Sequence, residues 1–197
     1  GKVNLLEYNI TKINKILHIL NEYKGITAES SGEVALVHVG HIANELLEIM
    51  KPGAKARKVT IFHKIDMDII LPVNKQAFYT IFNTLTQKII SICDGKKEMH
   101  LDLYKKNNGE GICISITATV EEEIYRETMM MMENDFLLER TENDEDISNL
   151  EFVLCRKLIN EMNGTMAYGY TGESKELRIQ ISLPQHEMEG QSLRPVI

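Results

Sequence analysis

Three runs of strict alternation constrain this chain most: Met99, Leu101 and Leu103; Ile112, Ile114 and Ile116; and Leu177, Ile179, Ile181 and Leu183. Successive side chains of a strand point to opposite faces, so apolar residues at every second position describe strands with one face on a core and the other in water. Asn107-Asn108-Gly109 joins the first two runs, and these residues tolerate the positive φ of a tight turn, which predicts a hairpin. The third run is the return arm of a second hairpin, closed by Pro184. Outside the hairpins the apolar period lengthens. Residues 74 to 92 bring Phe78, Ile81, Phe82, Leu85 and Ile89 to one side of a long helix, and a further helix is predicted from about Ile147 to Met162. Upstream, Val34 to Val39 and the series Val59, Ile61, His63, Ile65 read as strands. They flank a helix from Ile42 to Met50, with Lys51-Pro52-Gly53 as its stop.

The order of elements is therefore helix, strand, helix, strand, helix, hairpin, long loop, helix, hairpin. Two hairpins and a mixed sheet that must hide one apolar face under three helices make an α+β fold, a two-layer α/β sandwich, the natural solution. The opening segment stands apart. Val3, Leu6, Ile10, Ile13, Leu17 and Leu20 recur at alternating steps of three and four, the spacing of a coiled-coil seam, and this favours a dimerisation bundle over a helix packed on its own domain. The expected division is a bundle helix over 1–28, a linker over 29–33, the sandwich over 34–184 and a tail over 185–197. Residues 119 to 146 carry acidic runs around Met129 to Met132, a connection with some helix in it whose methionines could also form an adaptable docking surface.

Several function classes are excluded by what is missing. The net charge of −7 comes with no basic stripe interleaved with aromatic residues, which argues against nucleic-acid binding. Cys93, Cys113 and Cys155 are odd in number, form no CxxC pair and lie in apolar segments, as reduced core residues of a cytosolic protein do. No apolar run approaches the roughly 20 residues of a membrane span, and no signal-peptide pattern occurs, so this segment is expected to stay cytoplasmic. A chain beginning at Gly1 rather than Met is what a piece of a longer, membrane-anchored protein would also show. His38, His41 and His63 lack the same-face spacing of zinc ligands, and no triad, Cys/His pair or carboxylate pair is recognisable by spacing; no catalytic residue is assigned.

Four local strings, in this order, resemble those of the histidine-kinase branch of the GHKL (Bergerat) ATPases. Phe82-Asn83-Thr84-Leu85-Thr86-Gln87 is similar to the family's asparagine motif. The hairpin arm ending at Ile116 precedes the place of its Asp-x-Gly-x-Gly. Arg156-Lys157-Leu158-Ile159-Asn160-Glu161-Met162-Asn163-Gly164-Thr165-Met166 looks like its Lys-Lys-Ile-Val-Glu-x-His-Gly-Gly-x-Ile, and Ile179-Gln180-Ile181-Ser182-Leu183-Pro184 matches its closing Phe-x-Ile-x-Leu-Pro. The opening helix resembles the second helix of the dimerisation and phosphotransfer bundle. The resemblance covers residues 1 to 184 and implies the Bergerat fold, with Asn83 and Gln87 as the remnant of the nucleotide site and Gln87 as the one candidate magnesium ligand.

At other points the chain departs from the pattern. Gln87 replaces the second asparagine, and Ile90 and Ser91 stand where a basic or aromatic residue is usual. Ala118 falls where an aspartate would accept from the adenine amino group, and Val120 and Glu122 fall where glycines would be. Ile147, Asn149 and Glu151 fall where a glycine-rich strip would cradle the phosphates. His18, followed by Ile19 rather than an acid, is not assigned as a phosphoacceptor. The resemblance implies a two-component signalling module that docks or relays, with no cofactor expected beyond residual Mg-ATP. The implied partner is a response regulator or receiver domain, and the opening helix implies a homodimer. Two alternatives remain: a divergent but active ATP-dependent sensor histidine kinase, and a partner-binding domain outside phosphorelay.

Overall fold

The computed structural model describes residues 34–93, 97–106, 109, 111–126 and 145–185, with the backbone alone over 145–150. The opening helix and linker, the residues Asn107-Asn108, the methionine run and the tail beyond Gln185 lie outside the described residues.

Among the described residues the main elements are, in order, β1 (Ala35–His38), α1 (Val39–Ala56), β2 (Thr60–Ile65), β3 (Ile70–Val73), α2 (Lys75–Ile92), β4 (Glu98–Lys105), β5 (Gly111–Thr119), α3 (Glu145–Glu161), β6 (Thr165–Thr171) and β7 (Glu176–Pro184). The strands form a five-stranded sheet in the order β2-β4-β5-β7-β6 and a separate β1-β3 pair. Only β2 and β4 run parallel, so the sheet is mixed, as the sequence predicts.

Register explains the alternation. Met99, Ala118 and Leu177 lie side by side across β4, β5 and β7, followed by Leu101, Ile116 and Ile179 and then Leu103, Ile114 and Ile181. Every one of these nine is buried, and their neighbours His100, Thr117 and Arg178 point to the other, polar face. The helices close the apolar side through Leu47 of α1, Phe78, Ile81 and Leu85 of α2 and Phe152, Leu158 and Ile159 of α3. All three cysteines are buried and none forms a disulfide. No helix among the described residues is long and apolar enough to cross a membrane.

The helix ends show how local sequence sets the boundaries. Asn74 caps α2, its Oδ1 accepting from the Ala77 N–H at 2.9 Å. α1 does not stop at Lys51-Pro52-Gly53; it runs through Pro52 to Ala56. There Lys58 takes φ 60°, its N–H donates to the Lys55 carbonyl, and the Val59 N–H donates to that of Ala54. This is a Schellman ending, with lysine where glycine is usual. α3 ends the same way at Asn163 (φ 52°), whose N–H donates to the Asn160 carbonyl while that of Gly164 donates to Ile159. Asn163-Gly164 is thus a helix terminator, and a Cβ on Gly164 would meet the Ser182 carbonyl oxygen at 2.7 Å.

β3 is the one strand the alternation does not reveal. Ile69, Leu71, Pro72 and Val73 are all buried, so the run shows no polar face to mark a period of two. A measurable consequence follows from α1: Gly53 sits in its interior, where an added Cβ meets nothing within 4 Å. Gly53→Ala is expected to stabilise the chain by about 0.5–1 kcal/mol, seen as a higher urea midpoint at unchanged slope. A loss would place the end of the helix at Pro52.

Candidate nucleotide site

α2 presents Tyr79, Asn83 and Gln87 at steps of four along its outward side, so they form one stripe. Asn83 is half-buried and Gln87 exposed, and the Gln87 Nε2 donates to the Asn83 Oδ1 at 3.0 Å. The two amides the sequence singled out are thus together, but turned on each other. The Gln87 Oε1 remains as the oxygen available to a hard cation such as magnesium, which takes oxygen ligands in a near-octahedral shell. One turn on, Ile90 is buried and the Ser91 hydroxyl donates to the Lys88 carbonyl of its own helix at 2.6 Å.

Beside α2, the end of β5 brings Ala118 and Val120 to the core face. Ala118 is 2% exposed and lies between Met99 and Leu177, and Val120 is fully buried. A methyl group here offers no acceptor for an adenine amino group. The chain then enters a helical turn at residues 122–126, which is tied to the far hairpin. The Val120 N–H donates to the Lys175 carbonyl at 2.8 Å, and the Tyr125 and Tyr170 rings stack at 4.3 Å and 13°. Lys175 Nζ contacts a Glu121 carboxylate oxygen at 2.7 Å, and this hydrogen bond and charge hold the carboxyl below the usual range. Glu122 is bound by Arg126 in the same turn. Glu121, Glu122, Arg126, Tyr170 and Lys175 line a cleft of about 580 Å³ together with Glu123 and Gly172.

The third part of the site is the start of α3. The glycine-strip positions Ile147, Asn149 and Glu151 all lie inside this helix, which begins at Glu145. Only the first four N–H groups of a helix are free of intrahelical bonds, so those of Asn149 and Glu151 are committed to the helix ladder. The free ones fall at 145–148, ahead of two of the three glycine-strip positions. Where α2 faces α3, Phe152 is 1% exposed, and the Lys88 ammonium lies 5.9 Å from its ring centroid. Burial pushes the Cys93 thiol up to about 11 against the pull of Lys97, so it is no nucleophile at neutral pH.

No protein-family model and no curated protein sequence matches the chain. Solved structures do. The nucleotide-free catalytic domain of the histidine kinase ThkA superposes with a TM-score of 0.60 at 12% identity, over 77% of this chain and 95% of that one. The mycobacterial sensor histidine kinase MprB gives 0.60 at 13%, over 78% and 98%. The Acinetobacter baumannii histidine kinase AdeS gives 0.61 at 9%, over 94% and 84%.

The fold is that of a histidine-kinase ATPase domain. The chain shares this fold with those domains at 9–13% identity. The sequence did not single out Lys88, Phe152, Tyr125 or Tyr170. Lys88 directly follows the asparagine motif, which is the one signal that pointed toward it.

Thr86, inside the motif, is fully buried and its Oγ1 has no hydrogen-bond partner. A buried hydroxyl left unpaired costs about 1–3 kcal/mol, so Thr86→Val is expected to raise stability by about 1 kcal/mol in thermal or urea unfolding. A clear loss would mean that the hydroxyl is satisfied in solution.

Proposed function

We propose that this chain is a two-component signalling module in which a histidine-kinase-type ATPase domain has a degenerate nucleotide site and serves in docking or signal relay. The observation that carries this reading is the early start of α3, which places the glycine-strip positions within the helix. The apolar, buried Ala118 and Val120 support it independently from the base-binding side. The expected partners are a response regulator or receiver domain and a second copy joined through the opening helix, in the cytoplasm. No resident cofactor is expected.

The second reading, a divergent active kinase, draws on one feature: Asn83 and Gln87 still share the outward stripe of α2, with the Gln87 Oε1 available to a metal nucleotide. Incubation with γ-labelled Mg-ATP separates the two. The proposal expects neither phosphate release nor label on the chain, whereas either product, lost in Asn83→Ala, would establish the active kinase.

A further inference from the structure

We infer that the C-terminal end of α1 and the edge strand β2 form a docking surface for an acidic protein partner. Residues 51–65 hold five of the 22 Lys and Arg residues (Lys51, Lys55, Arg57, Lys58 and Lys64) and none of the 29 Asp and Glu residues, in a chain of net charge −7. Lys51 is paired with Glu48. Lys55, Arg57 and Lys58 are exposed, and no carboxylate of the described residues pairs with them.

Two further observations separate this cluster from a merely solvated helix end. Lys58 occupies the left-handed C′ position of the Schellman ending at φ 60°, where glycine carries no steric penalty. The charge is kept where the backbone would be better served by a residue without a side chain. Further along β2, roughly 13 Å from Lys58 by strand rise, Phe62 is 45% exposed on the open face of the sheet and stacks on His100 at 5.0 Å and 18°. Lys64, two positions on, shares this face with Phe62, and an exposed aromatic ring on a surface otherwise basic matches the composition of protein interfaces. Among the described residues β2 is also an end strand of its sheet, with no strand on its outer edge.

Charge complementarity selects the occupant. The acids nearest on this face, Glu98 and Asp102, belong to β4, and Glu98 already lies 3.9 Å from His100. The outer edge is thus basic and also carries an exposed aromatic ring, a local complement to acidic and apolar groups together. An acidic protein surface carrying an apolar side chain for Phe62 fits this pattern better than a nucleic acid or an anionic bilayer. The surface deepens the docking reading and rests on it for its purpose. Its test involves no nucleotide, so either claim can fail while the other stands.

The experiment uses the whole chain and a short synthetic peptide of glutamate, aspartate and leucine, with affinity measured by calorimetry at low and physiological salt. The double variant Arg57→Glu, Lys58→Glu is expected to lose roughly ten-fold or more in affinity, and Phe62→Ala to weaken binding as well. Lys105→Glu, at the other end of β4, should leave affinity unchanged. Lys58→Gly distinguishes docking from folding: it should raise Tm by about 2–4 °C yet weaken binding roughly two- to five-fold. Equal affinity in the double variant, an equal loss in Lys105→Glu, or tighter binding to phosphatidylserine vesicles or single-stranded RNA than to the peptide would overturn the proposal.

Discussion

Gly111→Ala is expected to cost about 3–5 kcal/mol, a large share of the roughly 5–15 kcal/mol that holds a domain of this kind together. Gly111 opens β5 at φ +123°, a conformation essentially reserved for glycine, with a penalty of about 1–3 kcal/mol for other residues. An added Cβ would also stand 2.0 Å from the Leu183 carbonyl oxygen and 2.8 Å from the Pro184 Cα. Both are backbone atoms of β7, the strand paired with β5, so relief requires moving the centre of the sheet, and overpacking of this sort adds about 1–3 kcal/mol. Gly109→Ala is the control. It has a positive φ of 71° but open space around it, so only the conformational penalty of about 1–2 kcal/mol applies. Urea unfolding of the two variants should differ by several-fold in lost stability; similar losses would mean that the strands do not approach as closely as described.

Phe152→Ala is the second large effect, expected at about 3–5 kcal/mol. The ring is 1% exposed, joins the main core and carries the Lys88 ammonium above it. Its removal leaves a cavity between α3 and α2. Phe152→Leu should recover most of the loss, to within about 1.5 kcal/mol, because a large apolar side chain again fills the space. Lys88→Met should cost less than about 1 kcal/mol, the worth of an exposed cation–π contact. A loss below about 1.5 kcal/mol for Phe152→Ala, in unfolding followed by circular dichroism, would show that α3 is not anchored through this ring.

Much of the sheet was legible in advance because its strands are buried on one face only. Leu101, Ile116 and Ile179 alternate with polar neighbours, and the same pleat that produces the alternation brings them side by side. β3 escaped for the opposite reason: Ile69, Leu71, Pro72 and Val73 are buried and the exposed residue among them, Ile70, is itself apolar, so periodicity had nothing to report. Pro52 misled because a proline usually ends a helix, yet the buried Met50 and Ala54 on either side of it keep α1 on the core.

At the site, the identities of the exchanged residues were readable from their order, whereas their consequences were not. That the Gln87 amide turns to Asn83 depends on a side-chain choice between helix neighbours. That Ile147 lies within a helix depends on where α3 begins, two residues earlier than its apolar pattern suggested. The acids before Ile147 carry no apolar period, so the extra helical residues were invisible to a reading based on period alone.

The central claim, a nucleotide site lost while the fold is kept, is tested most directly by calorimetric titration of the chain with Mg-ATP and Mg-ADP at millimolar ligand, repeated with Glu151→Gly. The account predicts no detectable heat from the unaltered chain, and none from Glu151→Gly, since one glycine neither frees the N–H groups of α3 nor supplies an acceptor at Ala118. Micromolar binding by the unaltered chain would contradict it and make an active kinase the better reading.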